Sequence, residues 1–240
     1  MVVFIPITPL SLLHTISHRT MYLTVAPWFD YQEYYDFFKQ RGDRYIILDN
    51  GTFEGDPRSD LIELAKDINA REIVLPDDVG DFQSSTFKQL QFLSALSNSE
   101  KARFRFMIPF HGDDLDVENF IQTFREELDT FVIGLPAVRK DDKPRVYFAS
   151  LFSRFNLPIH MLGLQRCDEI AMFPLFPNIR SFDTSMPFKL AQNFTFFSPQ
   201  DHSDHGRLKF DAPFEYWKSR EKIAKVNVRL MDEFVHAIQH

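Results

Sequence analysis

Two short acidic segments contain the residues best suited to carry out chemistry. Residues 48–53 (LDNGTF) and 182–187 (FDTSMP) each place an aspartate where an apolar, strand-like run ends and a loop begins. A carboxylate at that position is held by a rigid strand and faces the open end of a sheet, where α/β enzymes keep their reacting groups. Carboxylates act as nucleophiles and as proton carriers. Asp49 and Asp183 are therefore the first candidates for catalysis.

Polar residues, or a Gly-Leu pair, also stand at the ends of other apolar runs. If the strands are parallel, these residues lie close together on one rim of the fold. Converging carboxylates repel one another, so at least one is expected to titrate abnormally or to be matched by donors of a substrate. The residues concerned are Asp77, Asp78, His111, Gly134, Leu135 and Gln165.

Each of these residues also has a purely structural interpretation. Asp-Asn-Gly is a strong turn sequence, so Asp49 could close an Asx-turn. Asp183 could cap a helix that begins near Pro187. Asp77 and Asp78 could solvate a loop, and His111 could be a hydrogen-bonded spacer. The residue pattern alone leaves these alternatives open.

The apolar runs and the turn residues between them predict eight strands that alternate with helices. Such alternation favours parallel pairing with right-handed crossovers, and eight strands favour closure into a single (β/α)8 TIM-like barrel. An open doubly wound sheet is the alternative. The predicted strands are 2–7, 21–26, 45–49, 72–76, 104–108, 130–134, 159–163 and 179–183, and the predicted helices are 31–39, 60–69, 87–96, 117–128 and 145–155.

The length and composition are those of one globular domain. The 240 residues are 44% hydrophobic and include 27 phenylalanines, which favours a packed interior. We expect a single domain over 1–240, with the barrel over about 1–195 and a C-terminal helical extension over about 209–240. A capping signal at 59–63 marks the start of one of the barrel helices.

Several function classes are disfavoured. Cys167 is the only cysteine, so an internal disulfide and a Cys-rich zinc site are excluded. The apolar run 1–13 is interrupted by Pro6 and Pro9 and is too short to span a bilayer, so neither secretion nor a membrane anchor is expected. We expect a cytoplasmic protein. No Walker-type loop or GxGxxG motif supports a nucleotide cofactor.

The net charge of −7 argues against non-specific attraction to nucleic acid over the whole surface. Local basic tracks remain as candidates, although solvated helix faces explain them equally simply. The polar loop 201–205 (DHSDH) contains candidate metal ligands but no thiolate. The basic tracks are Arg139, Lys140, Lys143 and Arg145, and Lys218, Arg220, Lys222, Lys225 and Arg229.

Across residues 44–189 the order and spacing of these short motifs resemble the tRNA-guanine transglycosylase superfamily, especially its shorter phage and bacterial relatives that insert 7-deazaguanine bases into DNA. The Asp-Ser-Gly-Gly-aromatic motif of that superfamily is matched by Asp49, Gly51 and Phe53, while Asn50 and Thr52 depart from it. The resemblance implies that Asp49 handles the proton of the base and that Phe53 stacks on the base.

The remaining motifs follow in the same order. The resemblance places Asp77 or Asp78 at the aspartate that reads the guanine edge, and His111 with Gly112 at a Gln-Gly step. Gly134 and Leu135 fall at a Gly-Leu step whose amides donate to the base. Leu162 and Gly163 fall at a Met-Gly step, with Leu162 on the base face. Phe182, Asp183 and Pro187 match Phe-Asp-x-x-x-Pro, in which the aspartate is the nucleophile.

The resemblance implies a pentosyltransferase that replaces guanine in a polynucleotide through a covalent aspartyl-glycosyl intermediate. The zinc-binding segment of the tRNA enzymes is absent, so no zinc and no other cofactor is expected. The implied partners are DNA, with tRNA as the alternative, and a free 7-deazaguanine base; a homodimer is left open. Two other interpretations remain: a catalytically inactive, nucleic-acid-binding accessory barrel, and a different barrel hydrolase.

Overall fold

The computed structural model describes residues 1–16, 19, 21–55, 58–126, 131–137, 143–200 and 207–239. Eight parallel strands form a sheet in the order β1-β8-β7-β6-β5-β4-β3-β2, which curls into a nearly closed TIM barrel and confirms the predicted fold class. The strands are β1 (Val3–Pro6), β2 (Met21–Val25), β3 (Tyr45–Asp49), β4 (Glu72–Val74), β5 (Arg105–Pro109), β6 (Phe131–Pro136), β7 (Ile159–Leu162) and β8 (Ile179–Thr184).

Helices follow most of the strands, and two more follow the barrel. Short 3₁₀ helices occupy Leu10–Ile16, Ala26–Asp30 and Phe173–Leu175. The α-helices are α1 (Gln32–Lys39), α2 (Leu61–Asp67), α3 (Phe82–Ala95), α4 (Asn98–Arg103), α5 (Asp116–Thr123), α6 (Arg145–Ser153), α7 (Cys167–Met172), α8 (Met186–Gln192), α9 (Phe214–Lys218) and α10 (Glu221–Ala237).

Alternation along the strands separates two apolar layers. The side chains on one face of the strands point into the barrel, where Ile5, Ile47, Val74, Met107 and Val132 pack together. The opposite faces of the strands pack against the surrounding helices in a larger, phenylalanine-rich core. The inner layer fills the barrel, so that functional side chains are left only at its open carboxyl end.

A buried ionic network lies at the amino ends of the strands. Arg180 of β8 reaches Glu72 of β4 at 2.5 Å, and the hydroxyl of Tyr45 on β3 donates to the same carboxylate at 2.7 Å. Glu72 is fully buried. A buried carboxylate requires such partners, and here they tie together strands from separate parts of the barrel.

Two predicted helix starts differ from the structure. α3 begins at Phe82 rather than at residue 87, because the Asp81 carboxylate accepts from the Ser84 amide and caps the helix there. At α2 the expected cap is wrong: Asp60 makes no side-chain cap bond, because its carboxylate pairs with Arg58 at 2.7 Å. Helices α4 and α7 were not predicted, whereas α8 begins at Met186, close to Pro187, where a helix start was expected.

The C-terminal extension comprises the two helices α9 and α10, and α10 packs against α8. The loop 201–205 and the basic residues Arg139 and Lys140 lie outside the described residues. In the described part of the chain, none of the helices has the length and apolar character needed to cross a membrane.

Candidate active site

A pocket of about 870 Å³ opens at the carboxyl ends of the barrel strands. This volume lies in the range of small-molecule binding sites. The lining comes from segments that follow all eight strands, together with Arg207, Leu208 and Phe210 from farther along the chain. These segments are far apart in the sequence and are brought together by the parallel order of the strands. Predicted site residues in the lining are Asp49, Phe53, Asp77, His111, Leu162, Gly163 and Asp183.

Asp183 lies near the end of β8 and is 2% exposed. Its Oδ1 atom accepts from the Gly163 amide at 2.9 Å and lies 2.9 Å from Nε2 of His160. Gly163 has a φ of 62°, a conformation that favours glycine and that turns this amide toward the carboxylate. Both described hydrogen bonds therefore fall on one oxygen, and they orient Oδ2 as the reactive atom.

His160 lies beneath Asp183 on β7 and is fully buried. Its Nδ1 lies 2.8 Å from the hydroxyl of Ser181, which is also on β8. With the Ser181 hydroxyl donating to Nδ1, Nε2 carries the proton and donates to Asp183. The histidine, which the motifs did not single out, thus orients the proposed nucleophile from inside the barrel.

Asp183 does not cap a helix in the structure, although the sequence allowed that role. Helix α8 begins at Met186 without a side-chain cap from Ser185. The Met186 amide instead donates to Oγ1 of Thr184 at 3.0 Å. The Asp183 carboxylate is therefore free of a capping role and is held by β7 and its following loop.

Asp49, at the end of β3, has a pKa raised well above its ordinary value. Burial is the largest cause, followed by the charges of Glu54, Asp183 and Asp77; a hydrogen bond from the Gly51 amide acts in the opposite direction. Asp49 thus favours its protonated form while sharing the pocket with Asp183. Two carboxyl groups in unlike surroundings are the usual arrangement for dividing proton transfer from nucleophilic attack.

Glu54 is a pocket residue that the motif reasoning missed. It lies in the loop after β3, and its pKa is raised by burial and by the charge of Asp183, whereas its own backbone amide and Arg207 lower it. Its Oε2 is buried without a hydrogen-bond partner among the described residues. The only sequence signal was its position directly after Phe53 in the 49–53 motif.

Asp77 and His111 form a buried pair on the pocket wall. Nε2 of His111 lies 2.6 Å from Oδ2 of Asp77, while Nδ1 accepts from the Gly80 amide at 3.1 Å. Since Nδ1 accepts, Nε2 must carry the proton and donate to Asp77. The other oxygen, Oδ1, accepts from Asn50 at 2.9 Å. His111 is therefore a spacer for Asp77, and Asp77 is left with accepting lone pairs toward the pocket.

The 49–53 segment forms a tight turn. Oδ1 of Asn50 accepts from the Thr52 amide at 2.7 Å, and Gly51 has a φ of 80°. The Asx-turn therefore involves Asn50 as well as Asp49, which receives the Gly51 amide. The turn projects Phe53 over the pocket mouth, where it is 71% exposed. An exposed aromatic ring at a pocket mouth is suited to stacking on a planar ligand.

Three of the expected site residues lie outside the pocket lining. Asp78 points away, toward Ser84 and Lys88, and its pKa is lowered by these two partners, Lys88 first. Gly134 and Leu135 lie within β6, which is paired on both sides with β5 and β7. Their amides belong to the sheet, so the expected donation to a base edge is not the arrangement found here.

Gly134 acts instead by having no side chain. A Cβ at this position would lie 2.7 Å from Cδ1 of Leu162 and 3.2 Å from Cγ of Met107. The glycine therefore lets Leu162 settle into the barrel mouth as part of the pocket lining. Arg145, from one of the predicted basic tracks, is buried and donates to the Leu135 and Leu162 carbonyls at 3.1 and 2.6 Å.

Cationic side chains line another part of the pocket: Arg166, Lys189 and Arg207. The pocket thus combines a carboxylate-rich interior with positive charge toward the loops after β7 and β8. Among the residues that the structure describes, no group of three or more His, Cys, Asp or Glu side chains is arranged to hold a metal ion.

No protein-family model matches the chain, and no curated protein matches it. Several solved structures are similar to the chain. The tryptophan synthase alpha chain of Legionella pneumophila subsp. pneumophila is 10% identical, with 96% of this chain and 91% of that chain covered and a TM-score of 0.53. The N-acetylneuraminic acid synthetase of Leptospira borgpetersenii serovar Hardjo-bovis, solved with citrate, is 9% identical, with 98% and 85% covered and a TM-score of 0.51. At these identities the likeness shows the barrel fold alone.

Proposed function

We propose that the chain is a barrel enzyme, a pentosyltransferase that exchanges guanine in a polynucleotide, DNA first, for a 7-deazaguanine base. The observation that carries the proposal is the pairing of two unlike carboxyl groups in one pocket. Asp183 is fixed through Oδ1 by two nitrogen atoms, and Asp49 has a pKa raised by burial and neighbouring acids. Such a pair provides a nucleophile and a proton carrier for cleavage of a glycosidic bond.

The pocket surface favours a donor-rich planar ligand. Asp49, Asp77 and Asp183 offer accepting oxygens when ionised, and His111 is already committed to Asp77. Guanine presents a ring N–H and an exocyclic amine on one edge, which a carboxylate such as Asp77 can accept. Phe53 at the mouth and Leu162 inside the pocket supply apolar surfaces for the two faces of the base.

The cations in the lining support a phosphate-bearing substrate. The net charge of −7 would repel a polynucleotide at long range. Lys189 and Arg207 offset this locally at the pocket, where phosphates flanking the target nucleotide would lie, whereas the guanidinium of Arg166 is paired with Asp168 at 2.6 Å. A base taken from a duplex must first be flipped out of the stack, at a cost of about a few kcal/mol.

In the proposed reaction, Oδ2 of Asp183 attacks C1′ of the target nucleotide and the C1′–N bond electrons leave with guanine. The departing ring nitrogen takes a proton from the Asp49 side of the pocket. The incoming 7-deazaguanine then returns a proton from its ring N–H to the carboxylate that gave the first proton. Its ring nitrogen attacks C1′ and releases the Asp183 carboxylate. Two displacements retain the configuration at C1′.

Mass spectrometry of nucleosides from DNA and from tRNA, each incubated with the protein and a 7-deazaguanine base, tests the proposal directly. We expect the 7-deaza-2′-deoxyguanosine product in the DNA digest and none with Asp183→Asn. The tRNA sample decides which polymer is used. Glu33→Gln, an exposed acid in α1, serves as the matched control and should retain exchange.

Other outcomes would overturn the proposal. Release of free guanine without incorporation would identify a hydrolase that uses water in place of the incoming base. Binding of DNA without any exchange of isotopically labelled guanine would identify a non-catalytic accessory barrel. Full exchange in Asp183→Asn would remove Asp183 as the nucleophile.

A further inference from the structure

Glu54 has a buried oxygen for which the described residues supply no partner. The loop after β3 carries it into the pocket, and none of the described residues offers its Oε2 a hydrogen bond. An ionised carboxylate oxygen left in this state is unfavourable. The oxygen is accommodated either by carrying a proton or by accepting a hydrogen bond from a bound ligand.

The charged groups around Glu54 act on it in opposite directions. Asp183 and Asp49 are the neighbouring acids in the pocket, and their negative charges disfavour ionisation of Glu54. The positive charge of Arg207 favours it. Charges on Asp49, Glu54 and Asp183 at the same time would put three like charges in one pocket. Mutual repulsion therefore favours a proton on Asp49 or on Glu54.

Glu54 differs from Asp49 in its access to the substrate. Asp49 is fixed at a strand end and already accepts the Gly51 amide. Glu54 is on a loop, is partly exposed, and has an oxygen that none of the described residues hydrogen-bonds. A proton carrier must reach the ring nitrogen of both the departing and the incoming base, because the proton is delivered to one and recovered from the other.

We infer that Glu54 is a further catalytic residue, the group that passes a proton to and from the exchanging base. The inference rests on the proposed function. As the C1′–N bond breaks, its electron pair goes to the ring nitrogen, Asp183 Oδ2 bonds to C1′, and the Glu54 proton moves to that nitrogen. In the second step the incoming base gives its ring N–H proton to Glu54 and displaces Asp183 from C1′.

The test compares Glu54→Gln with Glu54→Asp in single-turnover formation of the covalent Asp183 adduct across pH. Gln has the shape of Glu but no transferable proton, so we expect the rate to fall by about 10²-fold or more. The alkaline limb of the pH profile, which reports deprotonation of the acid, should disappear. Asp keeps the proton, so Glu54→Asp should recover part of the rate and retain the alkaline limb. Glu33→Gln is the control for an exposed acid.

The outcomes separate this inference from the proposed function. Absence of exchange by the unmodified protein defeats the proposed function. Exchange by the unmodified protein, with an unchanged rate and pH profile in folded Glu54→Gln, overturns the role of Glu54 and leaves Asp49 as the sole proton carrier. A readout independent of turnover is carbon NMR of labelled glutamate carboxyls: one resonance that titrates above the others and vanishes in Glu54→Gln is expected. Ordinary titration of every glutamate would contradict a proton held by Glu54.

Discussion

His160 Nε2 lies 2.9 Å from Oδ1 of Asp183, and the contact joins the interior of β7 to the end of β8. Both residues are buried, and His160 is in turn held by Ser181 at 2.8 Å. The carboxylate that is the proposed nucleophile is thus fixed from beneath by a side chain that never reaches the substrate. His160 is a positioning residue.

The first prediction concerns this support. His160→Gln should lower the rate of covalent adduct formation by about 10²-fold, since a misplaced reacting group costs about that much. Ser181→Ala should cost less, because it removes only the partner that fixes the histidine tautomer. Single-turnover assays on folded variants measure both effects.

Substrate affinity distinguishes positioning from binding. Since His160 lies below the carboxylate, DNA binding by His160→Gln should be close to that of the unmodified protein. A large loss of affinity with an unchanged adduct rate would contradict the positioning role and would make the histidine part of the binding surface.

The second prediction uses two adjacent acids as a matched pair. Asp77→Asn removes the carboxylate that His111 and Asn50 orient on the pocket wall, and it should strongly weaken binding of the free base. Asp78→Asn changes a carboxylate that faces Lys88 outside the lining, and it should leave base binding nearly unchanged. Isothermal titration with guanine compares them; equal effects would show that the pocket does not distinguish these neighbours.

The sequence predicted the barrel because buried parallel strands are continuous apolar runs with polar ends. Each of the eight predicted strands overlaps an observed one, and the motif residues after β3 and β8 lie in one pocket. The open doubly wound sheet, the alternative, is not the fold found. These features depend on the local alternation of apolar and polar residues, which can be read without knowing tertiary contacts.

Side-chain direction in loops could not be read in that way. β4 ends at Val74, so strand alternation no longer decides which of Asp77 and Asp78 faces the pocket. Glu54 likewise depends on the shape of the turn that begins at Asn50. His160 did carry a usable signal: it lies two residues before Leu162, on the same inward face of β7.

The third prediction concerns the space that Gly134 leaves for Leu162. In Gly134→Ala the new methyl group would overlap Cδ1 of Leu162, whose flexible end would be displaced into the pocket. Base affinity should fall about 10-fold or more, with a stability loss of about 1–3 kcal/mol as Met107 is also crowded. Titration calorimetry and thermal unfolding measure these two effects.

A double variant tests the cause. Leu162→Ala removes the atoms that clash with the new methyl group, so Gly134→Ala combined with Leu162→Ala should bind better than additivity of the two single variants predicts. Strict additivity would mean that Gly134 and Leu162 act independently, and that the affinity loss has another origin.

Asp49 makes a prediction about stability as a function of pH. Its pKa is raised in the folded protein by burial and by the charges of Glu54 and Asp183, from an ordinary value of 3.8. Well below pH 3.8 the carboxyl is protonated in both the folded and the unfolded state. As the pH rises, the unfolded chain loses this proton first, so the folded state becomes progressively less favoured until the folded carboxyl also ionises.

The last prediction is that Asp49→Asn raises the free energy of unfolding relative to the unmodified protein, by an amount that grows as the pH rises above about 4 and levels off once the folded carboxyl ionises. The general scale is about 1.4 kcal/mol for each unit of pKa shift. Asp67→Asn is a control of opposite sign, because Lys39 and Tyr35 lower the pKa of Asp67, so this variant should lose stability at neutral pH and little at acidic pH. Urea unfolding at several pH values measures both. A difference for Asp49→Asn that shrinks as the pH rises would show that Asp49 is ionised in the folded protein, and it would then be unable to hold the proton for exchange.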